Sequence, residues 1–202
     1  MGAATRVGLE IGSRWTFASA LDWPGWCRRG RGSQEALDLL SAFAPRYALI
    51  AGSGFTPGAL EVVGDVEGDV TTDFGAPGAA GPWDLEPVSP GEAGRLTALL
   101  ESSWSAFDAV IAAAPSELRK GPRGGGRDRD QIAEHVREAE RTYARKIGVR
   151  LPPSTPWPDQ RAGVAEALRS AAGDRSWPTR YAVRRFAWHV TDHAWEIEDR
   201  SH

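Results

Sequence analysis

Cysteine, methionine and lysine are nearly missing from this 202-residue chain: one Cys, one Met, and two Lys against 22 Arg. A single cysteine, Cys27, excludes an intramolecular disulfide and fits a reducing compartment. No run approaches the ~18 apolar residues that a membrane span needs, and the opening Met1–Glu10 stretch has no apolar signal core, so a soluble cytoplasmic protein is expected. Neither sign of charge is in excess. A net charge of −3 and a pI near 5.8 give no electrostatic case for nucleic acid or membrane as a partner. Histidine is scarce too, four in all, and the use made of them decides the functional reading. The Arg-, Ala- and Gly-rich composition is that of a high-GC bacterial genome, a matter of codons rather than chemistry.

The chain divides into two regimes. From Arg6 to about Val66 the apolar period is mixed: Val7, Leu9 and Ile11 alternate, and Trp15, Phe17, Ser19 and Leu21 alternate again after the turn Gly12-Ser13-Arg14, which predicts a hairpin. Asp22-Trp23-Pro24-Gly25 breaks the chain before a short third strand at Trp26–Arg28. Ser33 is read as the cap of a helix carrying Ala36, Leu37, Leu40 and Phe43 or Ala44 inward, and Leu60–Gly64 as a fourth strand. Residues 1–66 thus form a small β-β-β-α-β domain. Residues 67–88, rich in Gly, Pro, Asp and Ala, show no period and are read as a linker or wrapping loop.

At Ser89-Pro90-Gly91-Glu92 a capping box opens a helical regime over 89–202. Its first stripe is Leu96, Leu99, Leu100, Ser103, Phe107, Val110 and Ile111, stopping near Pro115. A second capping box, Asp128 to Gln131, precedes Ile132, His135, Val136, Ala139, Tyr143 and Ile147, ending at Gly148. Thr155-Pro156 opens the third, with Val164, Ala165, Leu168 and Ala172 inward before Gly173. The fourth, from about Pro178 to Asp199, carries Ala182, Phe186, His189, His193 and Ile197 on one face. Four such helices with short and medium loops predict an up-and-down four-helix bundle, so the whole chain is expected to be a two-domain α+β protein.

His189 and His193 stand four residues apart, about 400° of helical turn, so they project from one face as a chelating pair needs. Solvated pairs at this spacing are common. What favours a metal is position: both lie on the inward stripe, as does His135 on its own helix. Burying three unpartnered imidazoles would cost a few kcal/mol apiece, and one divalent cation compensates all three. Three neutral imidazoles also leave vacant coordination positions, the arrangement of catalytic zinc-type sites. The alternative is three core histidines, each bonded to a carboxylate or carbonyl.

A four-helix bundle with one His on the second helix and His-x-x-x-His on the fourth resembles the DinB-like superfamily, which includes bacterial metal-dependent thiol transferases and a mycothiol-dependent maleylpyruvate isomerase. The resemblance covers residues 89–202 and rests on His135, His189 and His193. It implies a divalent metal, zinc or nickel, held by these three. Many members follow the last His with an Arg-Gly-Gln-type stretch, where this chain has Ala194-Trp195-Glu196-Ile197-Glu198-Asp199. The N-terminal half is similar to HicB-like antitoxin domains over Thr16–Trp26, then Gly30 and Gln34-Glu35-Ala36-Leu37. No DNA-binding helix pair follows, so a repressor role does not transfer.

Around the histidines, Glu196 is a candidate fourth ligand, general base or acceptor orienting an imidazole, against a plain surface salt bridge. Glu138 is a weaker version of the same idea. Arg185, one turn before His189, is a candidate grip for a substrate carboxylate, against an arginine that snorkels to solvent as Arg184 is expected to do. Trp188 and Trp195 flank the pair as candidate pocket walls for a bound thiol such as mycothiol. The basic loop Arg119–Arg129, including Arg123, lacks a phosphate-loop motif and is read as a solvated connector or an anion-attracting lid. Cys27 reads as a strand residue rather than a nucleophile. The expectation is a metal-dependent enzyme of thiol chemistry acting on an electrophilic small molecule, with a metal-water hydrolase or a non-catalytic, metal-stabilised binding protein as alternatives, and a homodimer as one possible assembly.

Overall fold

The computed structural model describes residues 3–121, 125–170 and 175–201. The alternating apolar run at the start forms β1 (Thr5–Ile11), which turns at Gly12 and returns antiparallel as β2 (Thr16–Ala20), with Leu9 opposite Ala18. After the Asp22–Gly25 turn, where Gly25 adopts φ +96° and Tyr47 Oη donates to Pro24 O at 2.7 Å, β3 (Cys27–Gly30) pairs antiparallel with β2. Two helices follow where one was expected: α1 (Ser33–Ala42) and α2 (Ala44–Ala51), with Pro45 in the first turn of α2. Ser33 lies inside α1, whose cap position is Gly32, and no side chain caps it. The chain then crosses the sheet and adds β4 (Leu60–Glu67) parallel to β1, giving the mixed order β3-β2-β1-β4. The pairing slips between Val7 and Gly8, where Val63 is the extra residue of a bulge. Val62 and Val63 are exposed on this edge strand.

The segment 67–88 has ordered elements despite lacking an apolar period. Asp69 caps a short helix, α3 (Val70–Phe74), by accepting from the N–H groups of Thr71 and Thr72. Glu10 on β1 accepts from Thr72 Oγ1 and from the N–H of Gly78 at 2.8 Å and Ala79 at 3.1 Å, which ties the segment to the sheet. Trp83 packs against Gly8 of β1 and Gly64 of β4: a Cβ at Gly8 would come within 2.5 Å of its ring, so only glycine admits the indole there. Periodicity cannot reveal such a segment, because its order comes from contacts made elsewhere.

Four longer helices follow: α4 (Pro90–Ala113), α5 (Arg129–Lys146), α6 (Trp157–Ser170) and α7 (Thr179–Arg200). Ser89 caps α4 by accepting from Glu92 N–H at 3.2 Å, and Gln131 Oε1 accepts the Asp128 N–H at 3.0 Å at the start of α5. Their predicted apolar faces meet in one core of Leu96, Leu100, Phe107, Ile132, Val136, Leu168, Phe186 and Ile197, each nearly inaccessible. Full burial of side chains of this size stabilises the fold by about 1.5–3 kcal/mol apiece. Ala172 and Gly173 of the third pattern, and Arg123 of the basic loop, lie outside the described residues.

Helix α7 positions the site because it is buried on two sides. One face, with Ala182, Phe186 and Val190, belongs to the helical core, while Trp195 belongs to the core of the sheet and α1, beside Val7, Leu40 and Tyr47. Ion pairs fix the second contact: Arg46 holds Glu198 at 2.6 Å and Asp199 at 2.9 Å, and Arg28 holds Asp192 at 3.1 Å. Arg184, expected in solvent, instead pairs with the buried Asp84 at 2.6 Å. Among the described residues no helix is long and apolar enough to cross a membrane.

Candidate metal centre

His135 from α5 and His189 and His193 from α7 bring one ring nitrogen each to within 4.8 Å of one another. These three histidines lie close together and could hold a metal ion. The helical spacing stacks His189 and His193 with ring centroids 4.7 Å apart, and the α5–α7 packing inserts His135 at 5.1 and 5.0 Å from them. The Nε2 atoms of His135 and His189 face each other at 3.3 Å. Two nitrogens bound at about 2.05 Å and a tetrahedral angle stand roughly 3.35 Å apart, whereas a right-angled pair stands roughly 2.9 Å apart. The His135–His189 pair alone has the separation of two nitrogens on one tetrahedral ion.

Two electrostatic features suit the histidines to neutral ligation. Burial pushes the His189 imidazole well below its ordinary pKa, and the charges of His193, His135, Arg185 and Arg127 add to the effect. His135 is lowered in the same way, first by burial, then by His193 and Arg127, with Glu196 acting in the opposite sense. Metal ligation needs the unprotonated ring, which this environment already favours. His189 Nδ1 is buried and has no hydrogen-bond partner.

Glu196 lies one turn beyond His193. Its Oε2 is 2.8 Å from His193 Nδ1 and its Oε1 accepts from Arg200 Nη1 at 2.6 Å. Burial raises the Glu196 carboxyl, but the hydrogen bonds and charges of His193 and Arg200 outweigh it and leave the group below its ordinary value. An ionised carboxylate only accepts, so Nδ1 of His193 is the donor to Glu196, and Nε2 is the ring nitrogen left for a metal. Both oxygens are engaged, one at the His193 ring, as an acceptor that orients an imidazole would be, and the other in the salt bridge with Arg200 that was the plainer alternative. Arg200 is itself anchored on the carbonyls of Arg119 and Arg127, which ties these two residues to this end of α7.

The remaining candidates separate. Arg185 is not in solvent: it is 9% exposed, with its guanidinium 5.3 Å from the Tyr143 ring centroid and 4.8 Å from that of Trp188. Trp188 is buried with its ring 5.9 Å from His189 and edge-on to Phe17. Trp195 faces away from the histidines, packed on Phe43 at 5.1 Å under Arg28 and Arg46. Glu138 pairs with Arg141 on the surface. Cys27 is buried, and burial pushes its thiol up to about 12, so it is no ready nucleophile. In the basic loop Lys120 pairs with Asp128 and Arg129 with Asp130, which leaves Arg127 as the described cation whose field reaches the histidines.

Sequence reasoning missed one neighbour of the histidines and one buried carboxylate on the same helix. Tyr143, read only as an apolar stripe residue, sets its ring 5.6 Å from His189. Its place one turn from Ala139 and two from His135 on the inward face was the available signal. Glu140, a buried carboxylate on the same helix, accepts from Trp157 Nε1 at 2.7 Å and pairs with Arg161 at 3.2 Å, away from the histidines. No family model, curated protein or solved structure matches the chain, so the arrangement of the three histidines is what its functional reading has to stand on.

Proposed function

We propose that the protein is a metal-dependent enzyme that uses a low-molecular-weight thiol, of the mycothiol type, against an electrophilic small molecule. The observation that carries the reading is the convergence of His135, His189 and His193 with no fourth protein ligand among the described residues that could join them in the same cluster. In this reading α4 to α7 form the four-helix bundle of a DinB-like protein, and zinc or nickel is the resident ion. When bound, such an ion supplies the positive charge that lowers a coordinating thiol's pKa toward neutrality. Glu196 holds the Nδ1 side of His193, which turns Nε2 toward the other two histidines, and burial of His189 favours its neutral form. Trp188 and Tyr143 set their rings beside His189, at 5.9 and 5.6 Å. Arg127 and Arg185 add positive potential, which favours an anionic thiol or substrate.

The hydrolytic alternative needs a free carboxylate as base, and the engagement of both Glu196 oxygens speaks against that residue in the role. The sheet half is read as a HicB-like module that contacts a partner, and the exposed edge of β4 is where a second copy of the chain would pair. Metal-loaded protein incubated with mycothiol and an electrophile such as maleylpyruvate tests the thiol reading. Turnover is expected that disappears in a variant with all three histidines replaced by alanine, and equal rates in the two would refute it.

A further inference from the structure

The net charge of −3 conceals a cluster of cations on the sheet half. Alternation sends Trp15 and Phe17 to one face at the start of β2, and the register that sets Phe17 opposite Arg29 brings Arg29 and Arg31 to the same face. The hairpin turn, closed by Gly12 N–H donating to Trp15 O at 2.9 Å, adds Arg14. The guanidinium carbons of Arg14, Arg29 and Arg31 accordingly stand 5.4, 5.0 and 5.8 Å from the centroid of the Trp15 ring. No two of them are then more than about 12 Å apart, close to the Debye length of about 8–10 Å, so their fields add at physiological salt.

All three arginines are exposed, and no carboxylate of a described residue comes within 4.0 Å of their guanidinium groups. Two carboxylates reach these residues but bind the main chain: Asp73 accepts the Arg14 N–H at 2.7 Å and Glu35 the Arg31 N–H at 2.6 Å. They offset part of the field and leave each guanidinium without a direct counter-ion. One indole cannot compensate three cations, since such contacts are weak at exposed sites. Arg29 also brings a second ring to the cluster, because its Nη1 donates to Gly75 O at 3.0 Å. Gly75 has φ +115°, and a Cβ there would collide with Arg29 Nη1, so glycine is what lets the arginine lie against the end of α3. Phe74, the residue before it, is 90% exposed.

We propose that this face of the sheet half, built from Arg14, Trp15, Arg29, Arg31 and Phe74, binds single-stranded nucleic acid. The three guanidinium groups present unpaired donors to backbone phosphates, for which the planar fork is suited. The exposed Phe74 ring offers a platform on which a base can stack, beside cations that hold the chain to it. Such a combination of clustered arginine and aromatic rings on an open surface grips a strand without reading its sequence. An anionic bilayer fits less well. Asp69 and Asp73 flank the exposed Val70 and Phe74, so inserting those apolar side chains would carry two carboxylates to a negative surface. The inference deepens the reading of the sheet half as a partner-binding module, and it is independent of the metal centre, whose own test is metal content.

Fluorescence anisotropy of a short labelled oligo(dT), titrated with the full chain at several salt concentrations, tests the proposal. Wild type is expected to bind with a Kd on the order of 1–100 μM at low salt, and the logarithm of its affinity to fall with log[salt] at a slope of about −2, as three phosphate contacts on a single strand require. Arg14→Gln/Arg31→Gln removes two side chains that make no hydrogen bond or ion pair among the described residues, so the fold is kept. It should weaken binding roughly tenfold or more and bring the slope toward about −0.7. Arg145→Gln/Arg150→Gln, which takes the same charge from exposed positions elsewhere, should bind as wild type does. Phe74→Ala, at a side chain with no core packing to lose, should weaken binding roughly fivefold or more. Absence of binding at low salt overturns the proposal, as does equal binding by the two arginine variants. An affinity that Phe74→Ala leaves unchanged overturns it in favour of a general anion patch. Sedimentation with phosphatidylserine vesicles, lost in Arg14→Gln/Arg31→Gln and unaccompanied by oligonucleotide binding, overturns it in favour of a lipid surface.

Discussion

Replacing Glu196 by glutamine should weaken metal binding without unfolding the protein. The carboxylate receives His193 Nδ1 at 2.8 Å on one oxygen and Arg200 Nη1 at 2.6 Å on the other. Glutamine has nearly the same shape but no charge, and its amide offers one acceptor where two are needed. If its oxygen keeps His193, its NH2 meets the Arg200 donors, and if it turns over, His193 loses its acceptor. Losing an outer partner of a ligating histidine typically costs 10–100-fold in metal affinity. Because the Glu196 side chain is 35% exposed, solvent screens part of the charge, and the lower end, about tenfold or ~1.4 kcal/mol, is expected. The metal-free protein should lose only about 0.3–0.5 kcal/mol, the worth of an exposed pair one helical turn apart. Competition against a chromophoric chelator reads the first quantity and urea denaturation in a chelating buffer reads the second. A Glu196→Gln affinity equal to wild type would refute the orienting role. A loss as large as that of His193→Ala would show that Glu196 is itself a ligand.

Two further outcomes follow from buried charge. Because the native His189 pKa lies well below its unfolded value, the unfolded chain binds more protons once pH falls below the ordinary histidine value of about 6.5. Stability of the metal-free protein is therefore full above that pH and declines below it, with a slope approaching ~1.4 kcal/mol per pH unit from this histidine. Urea denaturation at pH 7.5 and 5.5 checks this, the loss should shrink in His189→Phe, and a loss of equal size in wild type and variant contradicts it. Separately, Glu140→Ala strips the buried Arg161 and Trp157 of their shared acceptor and should cost about 3–5 kcal/mol by the same denaturation assay, with Asp108 retaining Arg161 on its outer side. A loss below ~1 kcal/mol would mean the network is not a structural tie between α5 and α6.

The helices and the histidine cluster were legible in the sequence for the same reason: local periodicity. The inward stripe of α5 through Ile132, His135 and Val136 and that of α7 through Phe186, His189 and Ile197 already specify which side chains converge, once two amphipathic helices share a core. Residues whose place depends on the other half of the chain were not legible. Arg184 and Arg185 look alike as neighbours on a helix, yet one meets Asp84 from the 67–88 segment and the other, among the described residues, lies against the rings of Tyr143 and Trp188. Trp195 follows His193 by two residues, and helical rotation turns it toward the sheet rather than the histidines. The segment 67–88 hides its order because the partners of Trp83 and Asp84 are Gly8 and Arg184, distant in sequence. The spacing of Glu196 did not reveal that one of its oxygens meets His193 Nδ1 while the other meets Arg200.

The central claim is that His135, His189 and His193 hold one divalent ion, and elemental analysis of the purified protein tests it most directly. The account predicts about one equivalent of a divalent metal per chain, lost from His189→Ala together with the metal-dependent part of its melting temperature. Wild-type protein without stoichiometric metal, after loading with zinc or nickel and removal of the excess, or a His189→Ala variant with unchanged metal content, would contradict it.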